Sequence, residues 1–457
     1  MEITPVGYLI IPASLLIFLI KPKYLLPMVV VFSIFPSMTV LNITDGFIFG
    51  LSPYYWIGFL LAQRTFLMFL VGSAFRLPMS TKTSLLVGLA FVLWSFASAF
   101  VLPNIFQGTP VYVPRLGIDE QLDNLSPLVW SFSNFGQAVY LLINFGVVMA
   151  ASLKIKNAVE YMMLVRSFFL TSAIFGVFAL YQVVSRSLGF YYPSNLLYSN
   201  PSHSIGFEQV IAGVYRVNAT FSEPSYAGMY LSGVLGSGLY IWLVARQKWA
   251  GWLTLWVTVC LLLTTSSTAY LLLPTMLLAI GVWRLILLAF GKSVNLNTFT
   301  KILIGLVALM AIGFFLIIRF YNIVDSALIN KVDSGSFMAR TYSDITALGI
   351  WLQSYGLGVG LGSNRPSSFV TSLLSNLGLI GFALFALFVL LLIAAALRKK
   401  NVWLTSFVIG LIVYLFAKSL AGPDINDGLL WIFVMLIAAG TVTLPNANGS
   451  PPPIHLR

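Results

Sequence analysis

The stretch "SFVTSLLSNLGLIGFALFALFVLLLIAAALRKK", residues 368–400, decides the fold class. Residues 368–397 carry no charged side chain, and three basic residues, Arg398, Lys399 and Lys400, follow them directly. A helix needs about 20 apolar residues to cross a hydrocarbon core roughly 30 Å thick. The stretch therefore predicts a membrane-spanning helix whose basic end faces the cytoplasm.

Comparable apolar runs recur along the whole chain. Of its 457 residues, 59% are hydrophobic and 8% are charged, which leaves too little polar surface to cover a soluble protein of this size. The alternating pattern of a membrane β-barrel is not visible. We predict an all-α fold, a polytopic membrane helix bundle of about 12–13 transmembrane helices with large loops on one side of the membrane.

Thirteen spans are predicted, or twelve if residues 251–289 are divided differently. The first has its basic residues after the apolar run and no small-residue cleavage site, so we expect a retained span and not a signal peptide. Residues 1–445 are predicted to form one integral-membrane domain, and the Pro-rich residues 446–457 a disordered cytoplasmic tail. The predicted spans are residues 7–20, 25–41, 53–73, 84–102, 134–152, 160–182, 226–244, 251–265, 268–289, 302–319, 368–397, 402–420 and 428–443.

The charged residues predict one orientation of this bundle. Lysine and arginine pairs occupy alternate loops, for example at Lys154/Lys156, and the opposite set of loops holds nearly all the acidic residues. Basic loops are the cytoplasmic ones, so the N-terminus is expected outside and the C-terminus inside. The outer side then holds three long segments, 103–133, 183–225 and 320–367. Long loops on one face of a membrane protein are where its function is expected.

Composition also excludes several classes of function. The net charge of +12 comes from basic residues between spans, so nucleic-acid binding is not expected. A single cysteine, Cys260, cannot form an intrachain disulfide, and two histidines far apart give no zinc site. We find no nucleotide-binding signature, and we expect neither a metal nor a cofactor.

Some arginines lie on the outer side, against the charge rule, and Arg216 and Arg340 stand out because each lies in a long outer loop. An arginine at a helix mouth can extend to lipid phosphate or pair with an acid. It can also bind a substrate phosphate or pyrophosphate through two parallel hydrogen bonds. The outer arginines are Arg115, Arg186, Arg216, Arg319, Arg340 and Arg365.

The stretch "YGLGVGLGSNRPSS", residues 355–368, is a second candidate phosphate site. Its glycines permit close approach of backbone to a ligand, and Pro366 suits the first turn of a helix whose free N–H groups would face an anion. The alternative is a turn packed between helices. The predicted substrate-binding residues in and around this stretch are Tyr342, Gly358, Gly360, Asn364, Arg365 and Ser367.

Charges within or near spans have simpler interpretations. We expect Arg64 and Arg166 to have structural roles inside the bundle. Lys418 is expected to pair with Asp424 or Asp427, or to extend toward the outer face.

Three blocks, "YRVNATFSEPSYAG" (215–228), "ARTYSDITALGIWLQSYGLGVGLGS" (339–363) and "SSFVTSLLSNLGLIGF" (367–382), resemble the O-antigen ligase and polymerase superfamily in order and spacing. The resemblance covers about residues 210–385 and is only topological elsewhere. It implies a bacterial inner-membrane enzyme whose active site faces the periplasm. The implied donor is an oligosaccharide on undecaprenyl pyrophosphate, and membrane lipid and a regulator of chain length are further implied partners.

The resemblance places Arg216 and Arg340 on the two arginines that engage the substrate's pyrophosphate. The histidine of the ligase branch and the asparagine after it are replaced by Ser367 and Ser368. The chain is therefore expected to be a repeat-unit polymerase of O-antigen or exopolysaccharide, with a ligase as the alternative within the same class.

Two questions stay open at the level of sequence. Glu223 can act as general base for the acceptor hydroxyl, or it can only pair with Arg216 or cap the helix that opens at 226. His203 is a weaker candidate. A transporter or flippase is the alternative of a different class, although matching broken helices in two halves are not seen.

Overall fold

The computed structural model describes residues 1–45, 48–71, 77–113, 125–203, 209–211, 213–273, 275–276, 300 and 335–446. The structure is 72% helical, and the strands among these residues are only two or three residues long. The predicted all-α membrane helix bundle is confirmed.

A 3-10 turn at Pro22–Tyr24 directly precedes the second helix. The helices of the described ranges are α1 (Pro5–Ile20), α2 (Leu25–Phe32), α3 (Pro53–Leu70), α4 (Met79–Ile105), α5 (Phe132–Lys154), α6 (Ala158–Leu188), α7 (Ser194–Leu197), α8 (Pro224–Ala245), α9 (Lys248–Leu263), α10 (Gly335–Gln353), α11 (Phe369–Arg398), α12 (Val402–Ala421) and α13 (Gly428–Thr443).

Six of these helices are long and apolar enough to cross a membrane, namely α4, α5, α6, α8, α11 and α12. Shorter apolar helices accompany them at α1, α2, α9 and α13. Most of the predicted spans therefore correspond to an observed helix. The span predicted at 302–319, and most of the one at 268–289, lie outside the described residues, so the total of twelve or thirteen stays a prediction.

One predicted span, 25–41, is wrong in length. Helix α2 ends at Phe32, and the chain continues through Pro36 into a strand that begins at Leu41. Proline lacks the N–H that an α-helix needs and disfavours helical geometry in the residue before it, so the apolar run cannot continue as one helix.

Small β elements lie in the loops that the charge pattern assigns to the outer side. Strands β1 (Glu2–Ile3), β2 (Leu41–Ile43) and β3 (Phe49–Leu51) form an antiparallel sheet in that order. Two hairpins follow, and they pair β4 (Pro110–Val111) with β5 (Ser126–Pro127) and β6 (Val210–Ile211) with β7 (Val214–Tyr215).

Helix α13 forms the centre of the bundle. Every residue from Leu429 to Thr441 is buried, and the helix packs against α5, α11 and α12. Its hydrophobicity on all sides is typical of a helix surrounded by protein. The outer end of this helix begins after Asp427, which places that carboxylate inside the bundle near the outer loops.

Helix α11 is interrupted at Gly378, where φ is 67° and ψ is −170°. The loop after α10 is hydrogen-bonded to α11 on both sides of this break, because Gly360 N donates to Asn376 O and Leu379 N donates to Gly356 O, both at 2.8 Å. A Cβ at Gly378 would come within 2.3 Å of the Leu357 carbonyl group. The glycine-rich loop is thus held rigidly against the outer half of α11.

Candidate functional site

Three segments converge on the outer side of the bundle. The first runs from the β6–β7 hairpin to the start of α8, and the second is α10 with the glycine-rich loop that follows it. Sequence reasoning identified both. The third is the turn between α12 and α13, residues 422–427, which supplies a carboxylate that sequence reasoning did not assign to the site.

Arg216 directly follows β7 and is held by Gln209 at the start of the same hairpin. Its backbone N–H donates to Gln209 O, and its Nη1 donates to Gln209 Oε1, both at 2.9 Å. Its Nε is buried and has no hydrogen-bond partner among the described residues. Burial, followed by the nearby charge of Arg340, lowers the pKa of Arg216 to about 10. The guanidinium therefore keeps donor capacity that no described residue uses.

Arg340 lies on α10 and brings a second positive charge to Arg216. Its side chain forms neither a hydrogen bond nor an ion pair with any described residue, since the ion pairs of the described ranges involve other residues. Two arginines in mutual electrostatic range without a bound carboxylate are unfavourable unless an anion lies between them. The two predicted catalytic arginines are therefore within electrostatic range of each other, and their catalytic role stays a prediction.

Glu223 is the N-cap residue of α8, with extended backbone at φ −137° and ψ 150°, but its side chain makes no capping hydrogen bond. Its Oε2 accepts a hydrogen bond from Ser225 Oγ at 3.0 Å. Within the described residues it forms no ion pair with Arg216, although its charge acts on both Arg216 and Arg365. Among the described residues, Glu223 therefore shows neither of its two predicted structural roles, which were an ion pair with Arg216 and a side-chain cap of α8.

Arg365, in the glycine-rich loop, pairs with Asp424 of the α12–α13 turn. The distance from Arg365 Nη2 to Asp424 Oδ2 is 3.3 Å, and Tyr226 OH donates to the same oxygen at 3.3 Å. Burial raises the pKa of the Asp424 carboxyl, but Arg365, Lys418 and His203 together bring it below its ordinary value. Asp424 also holds the pKa of Arg365 above its ordinary value.

Lys418 pairs with Asp427, at 3.2 Å between Nζ and Oδ2. This confirms one of the two partners predicted for it. Asp427 also accepts a hydrogen bond from Tyr414 OH and from Leu429 N, the latter at 3.1 Å, so it caps α13. Lys418 therefore pairs with Asp427, and Asp424 pairs with Arg365.

A small open cleft lies beside this pair. Its wall combines the charged pair with amide and hydroxyl side chains, a lining that suits a ligand with many hydroxyl groups. The polar residues that line it are Gln137, Asn364, Arg365, Ser372, Asn376 and Asp424.

The glycines of the loop approach other parts of this chain closely. A Cβ at Gly358 would lie 2.7 Å from the Asn376 carbonyl group, and one at Gly360 would lie 2.6 Å from Pro103. The Asn364 side chain also binds within this chain. Its Oδ1 accepts a hydrogen bond from Tyr112 N at 3.0 Å, and its Nδ2 donates to Ser375 Oγ at 3.1 Å. These contacts agree with the packed turn that was the alternative at the level of sequence. Substrate contact by these residues stays a prediction.

The backbone just before α11 holds a carboxylate that belongs to this chain, and the expectation that the free N–H groups of the helix start face a substrate anion stays a prediction. Asp344 Oδ1, on α10, accepts hydrogen bonds from Ser367 N at 3.1 Å and from Ser368 N at 3.0 Å. It also accepts from Thr371 Oγ1 at 2.7 Å. Asp344 therefore binds the two N–H groups that precede Phe369, the first residue of α11.

The remaining predicted residues take supporting or peripheral places. Arg186 Nη1 donates to Arg216 O at 3.0 Å, so it holds the strand that carries Arg216. His203 Nδ1 lies 3.3 Å from Ser37 Oγ. Tyr342 is half-exposed on α10, two residues after Arg340. Arg115 and Arg319 lie outside the described residues.

Among the residues that the structure describes, histidine, cysteine, aspartate and glutamate do not cluster in threes that could hold a metal ion. Comparison with protein-family models, curated proteins and solved structures finds no match to this chain. The function must therefore be argued from the charges and hydrogen bonds of the site itself.

Proposed function

We propose that the chain is a glycan polymerase, which transfers a growing glycan from undecaprenyl pyrophosphate to another lipid-linked repeat unit and so makes O-antigen or exopolysaccharide. The observation that carries this proposal is the pair Arg216 and Arg340. Two guanidinium groups within electrostatic range, without a described carboxylate bound to either, match the charge of a pyrophosphate.

In the proposed reaction the acceptor hydroxyl attacks the anomeric carbon of the donor sugar. The bond from that carbon to the pyrophosphate oxygen breaks, and the oxygen leaves with the electron pair. Arg216 and Arg340 stabilise the negative charge that grows on the leaving group, a contribution of about 3–4 kcal/mol for one well-placed donor. The donor is already activated, so the mechanism requires no nucleotide.

Glu223 is the proposed base that takes the acceptor proton. It lies on the loop that carries Arg216 and is held by one hydrogen bond, from Ser225. The charge of Glu223 acts on both Arg216 and Arg365, so Glu223 is within electrostatic range of the proposed pyrophosphate site and of the cleft. We assign the cleft to the sugar of the acceptor, because Arg365 and Asp424 on its wall are about one third exposed and offer a donor and an acceptor to sugar hydroxyls.

The decisive experiment uses purified protein and a synthetic repeat unit on undecaprenyl pyrophosphate, with products separated by length. We expect a ladder of products from the native chain. Arg216→Ala and Arg340→Ala should each lower polymer formation by about a hundredfold or more. Arg→Lys should recover little, because an ammonium cannot form the two parallel bonds of a guanidinium.

Arg398→Ala is the matched control, since Arg398 is exposed at the opposite end of α11. All variants are compared at equal amounts of membrane-inserted protein. Full activity of either alanine variant at the outer site would remove that arginine from catalysis. Transfer of one complete glycan to a different lipid acceptor, without a ladder, would instead identify a ligase.

A further inference from the structure

A second group of cations, neither of which forms an ion pair with a described residue, lies at the other end of the bundle from the proposed catalytic residues. It consists of Arg64 on α3 and Lys154, the last residue of α5. Phe18, near the end of α1, forms the third side of this group. All three lie toward the helix ends that the charge pattern assigns to the cytoplasm.

Close packing of α3 and α5 brings the two cations together. The helices run side by side in the same direction, and small residues let them approach. A Cβ at Gly58 would lie 2.8 Å from the Ile143 side chain, and one at Gly146 would lie 2.5 Å from the Ala62 Cβ. Continuing this register places Arg64 level with Val148, one to two turns before Lys154 at the end of α5. Both side chains are long, and the charge of Arg64 acts on Lys154 across this interval.

Neither cation is neutralised by a described residue. Lys154 Nζ is buried and has no hydrogen-bond partner among the described residues. Arg64 Nη1 has only a contact of 3.5 Å to Phe18 O, at the outer limit of a hydrogen bond, and its guanidinium lies 5.7 Å from the centre of the Phe18 ring. The acid nearest to Lys154 in sequence, Glu160, accepts a hydrogen bond from Lys156 N at 3.0 Å and does not pair with Lys154.

We infer that Arg64 and Lys154 form a binding site for a phosphate group at the cytoplasmic ends of α3 and α5. A buried ammonium beside a guanidinium is unfavourable without a counter-ion, and a phosphate supplies the missing charge and acceptor oxygens. Basic pockets between transmembrane helices on this side are suited to anionic lipid headgroups. The same chemistry admits a soluble phosphate, and this site does not depend on the proposed polymerase activity.

The test measures lipid retention and thermal unfolding of purified protein in nanodiscs of phosphatidylcholine, with and without phosphatidylglycerol. We expect the native chain to retain phosphatidylglycerol through delipidation and to unfold at a higher temperature with it. Lys154→Met and Arg64→Gln should each lower retention by about fivefold. Lys156→Gln is the matched control, because Lys156 is exposed two residues away and should retain lipid as the native chain does.

Lys154→Met guards against a simple loss of folding, because it removes an unpaired charge and keeps the apolar stem. In phosphatidylcholine alone it should unfold at the same or a higher temperature than the native chain, while losing the response to phosphatidylglycerol. Stabilisation of the native chain by inorganic phosphate, absent in Lys154→Met and without retained lipid, would support a soluble phosphate as the ligand. Equal retention by native, Lys154→Met and Arg64→Gln proteins would overturn the inference.

Discussion

At the scale of single residues, the two cationic sites share one property. Arg216 and Lys154 each bury a nitrogen for which no described residue provides an acceptor. Leaving a buried donor unpaired costs about 1–3 kcal/mol, and more for a charged group. By contrast, Arg365 and Lys418 each have a carboxylate within 3.3 Å. The structure thus separates Arg365 and Lys418, which pair with carboxylates, from Arg216 and Lys154, for which the two proposals supply an anion.

Glu223→Gln tests the proposed base. The amide still accepts a hydrogen bond from Ser225 but cannot take a proton, so we expect donor binding to persist and turnover to fall by about a hundredfold or more. Steady-state rates with the synthetic lipid-linked repeat measure this. Glu2→Gln, at an exposed glutamate in β1, is the control that should keep full activity.

The pH dependence of the rate, compared between the native protein and Glu223→Gln, gives an independent check of the proposed base. A carboxylate base loses activity as acid protonates it, so the native rate should fall on the acid side and the Gln variant should lack this fall. A Gln variant with the native rate and an unchanged acid limb would leave the two arginines and substrate positioning as the whole catalytic apparatus.

Asp424→Asn tests the ion pair with Arg365 through stability. The pKa of Asp424 is lowered in the folded state, so the pair stabilises the fold above the unfolded pKa of about 3.9, and this stabilisation is lost as pH falls through the folded pKa. Because the two side chains are 35% and 36% exposed, we expect a contribution of only about 1 kcal/mol or less.

Thermal unfolding across pH 3 to 7 measures the effect of this change. The native protein should unfold at a higher temperature than Asp424→Asn near neutral pH, and the difference should shrink toward the acid end. The control is Asp45→Asn, since the Asp45 side chain is 92% exposed. A difference that stays constant with pH would contradict the assignment.

At the scale of helices, the sequence predicts where a helix lies along the chain better than it predicts a break within that helix. The uncharged run 368–397 correctly predicts α11, because the thickness of a membrane sets the length of such a run. It does not predict the break at Gly378, which depends on hydrogen bonds from a loop that precedes the helix. The positive-inside rule predicted Arg216 and Arg340 as candidate site residues, because basic residues are not expected on the outer side. Asp344 and Asp424 were missed as site-building residues because their partners are 23 to 59 residues away.

Gly378→Ala should destabilise the protein by about 2–4 kcal/mol, because the new methyl group would meet the Leu357 carbonyl and the backbone angle disfavours a side chain. Gly349→Ala in α10 is the matched control. No atom lies within 4 Å of its added Cβ, and alanine favours helix by about 0.5–1 kcal/mol. Thermal unfolding should therefore separate the two variants in opposite directions. Equal stability would mean that the loop is not held against α11 as described.

At the scale of the whole molecule, the two ends of the bundle differ in kind. One end carries the small sheets, the glycine-rich loop and the residues proposed for catalysis. The other carries short basic loops and the Arg64–Lys154 pair. Both proposals therefore depend on a single orientation, in which the end with Arg216 faces the periplasm. A lipid-linked donor on the outer leaflet could not reach that site in the opposite orientation.

Cysteine labelling tests this orientation directly. The chain has one cysteine, Cys260, which is buried, so a Cys260→Ala background should give no signal with a membrane-impermeant maleimide. In that background Asp45→Cys should react on cells whose inner membrane is intact, because Asp45 is exposed at the predicted outer end. Lys156→Cys should react only after the inner membrane is disrupted, or in inverted vesicles. Tyr355→Cys, at an 89% exposed position beside the glycine-rich loop, should behave like Asp45→Cys and so orient the site itself. The reverse pattern would place Arg216 and Arg340 in the cytoplasm, remove the proposed donor from their reach, and leave the Arg64–Lys154 pair facing the outer leaflet.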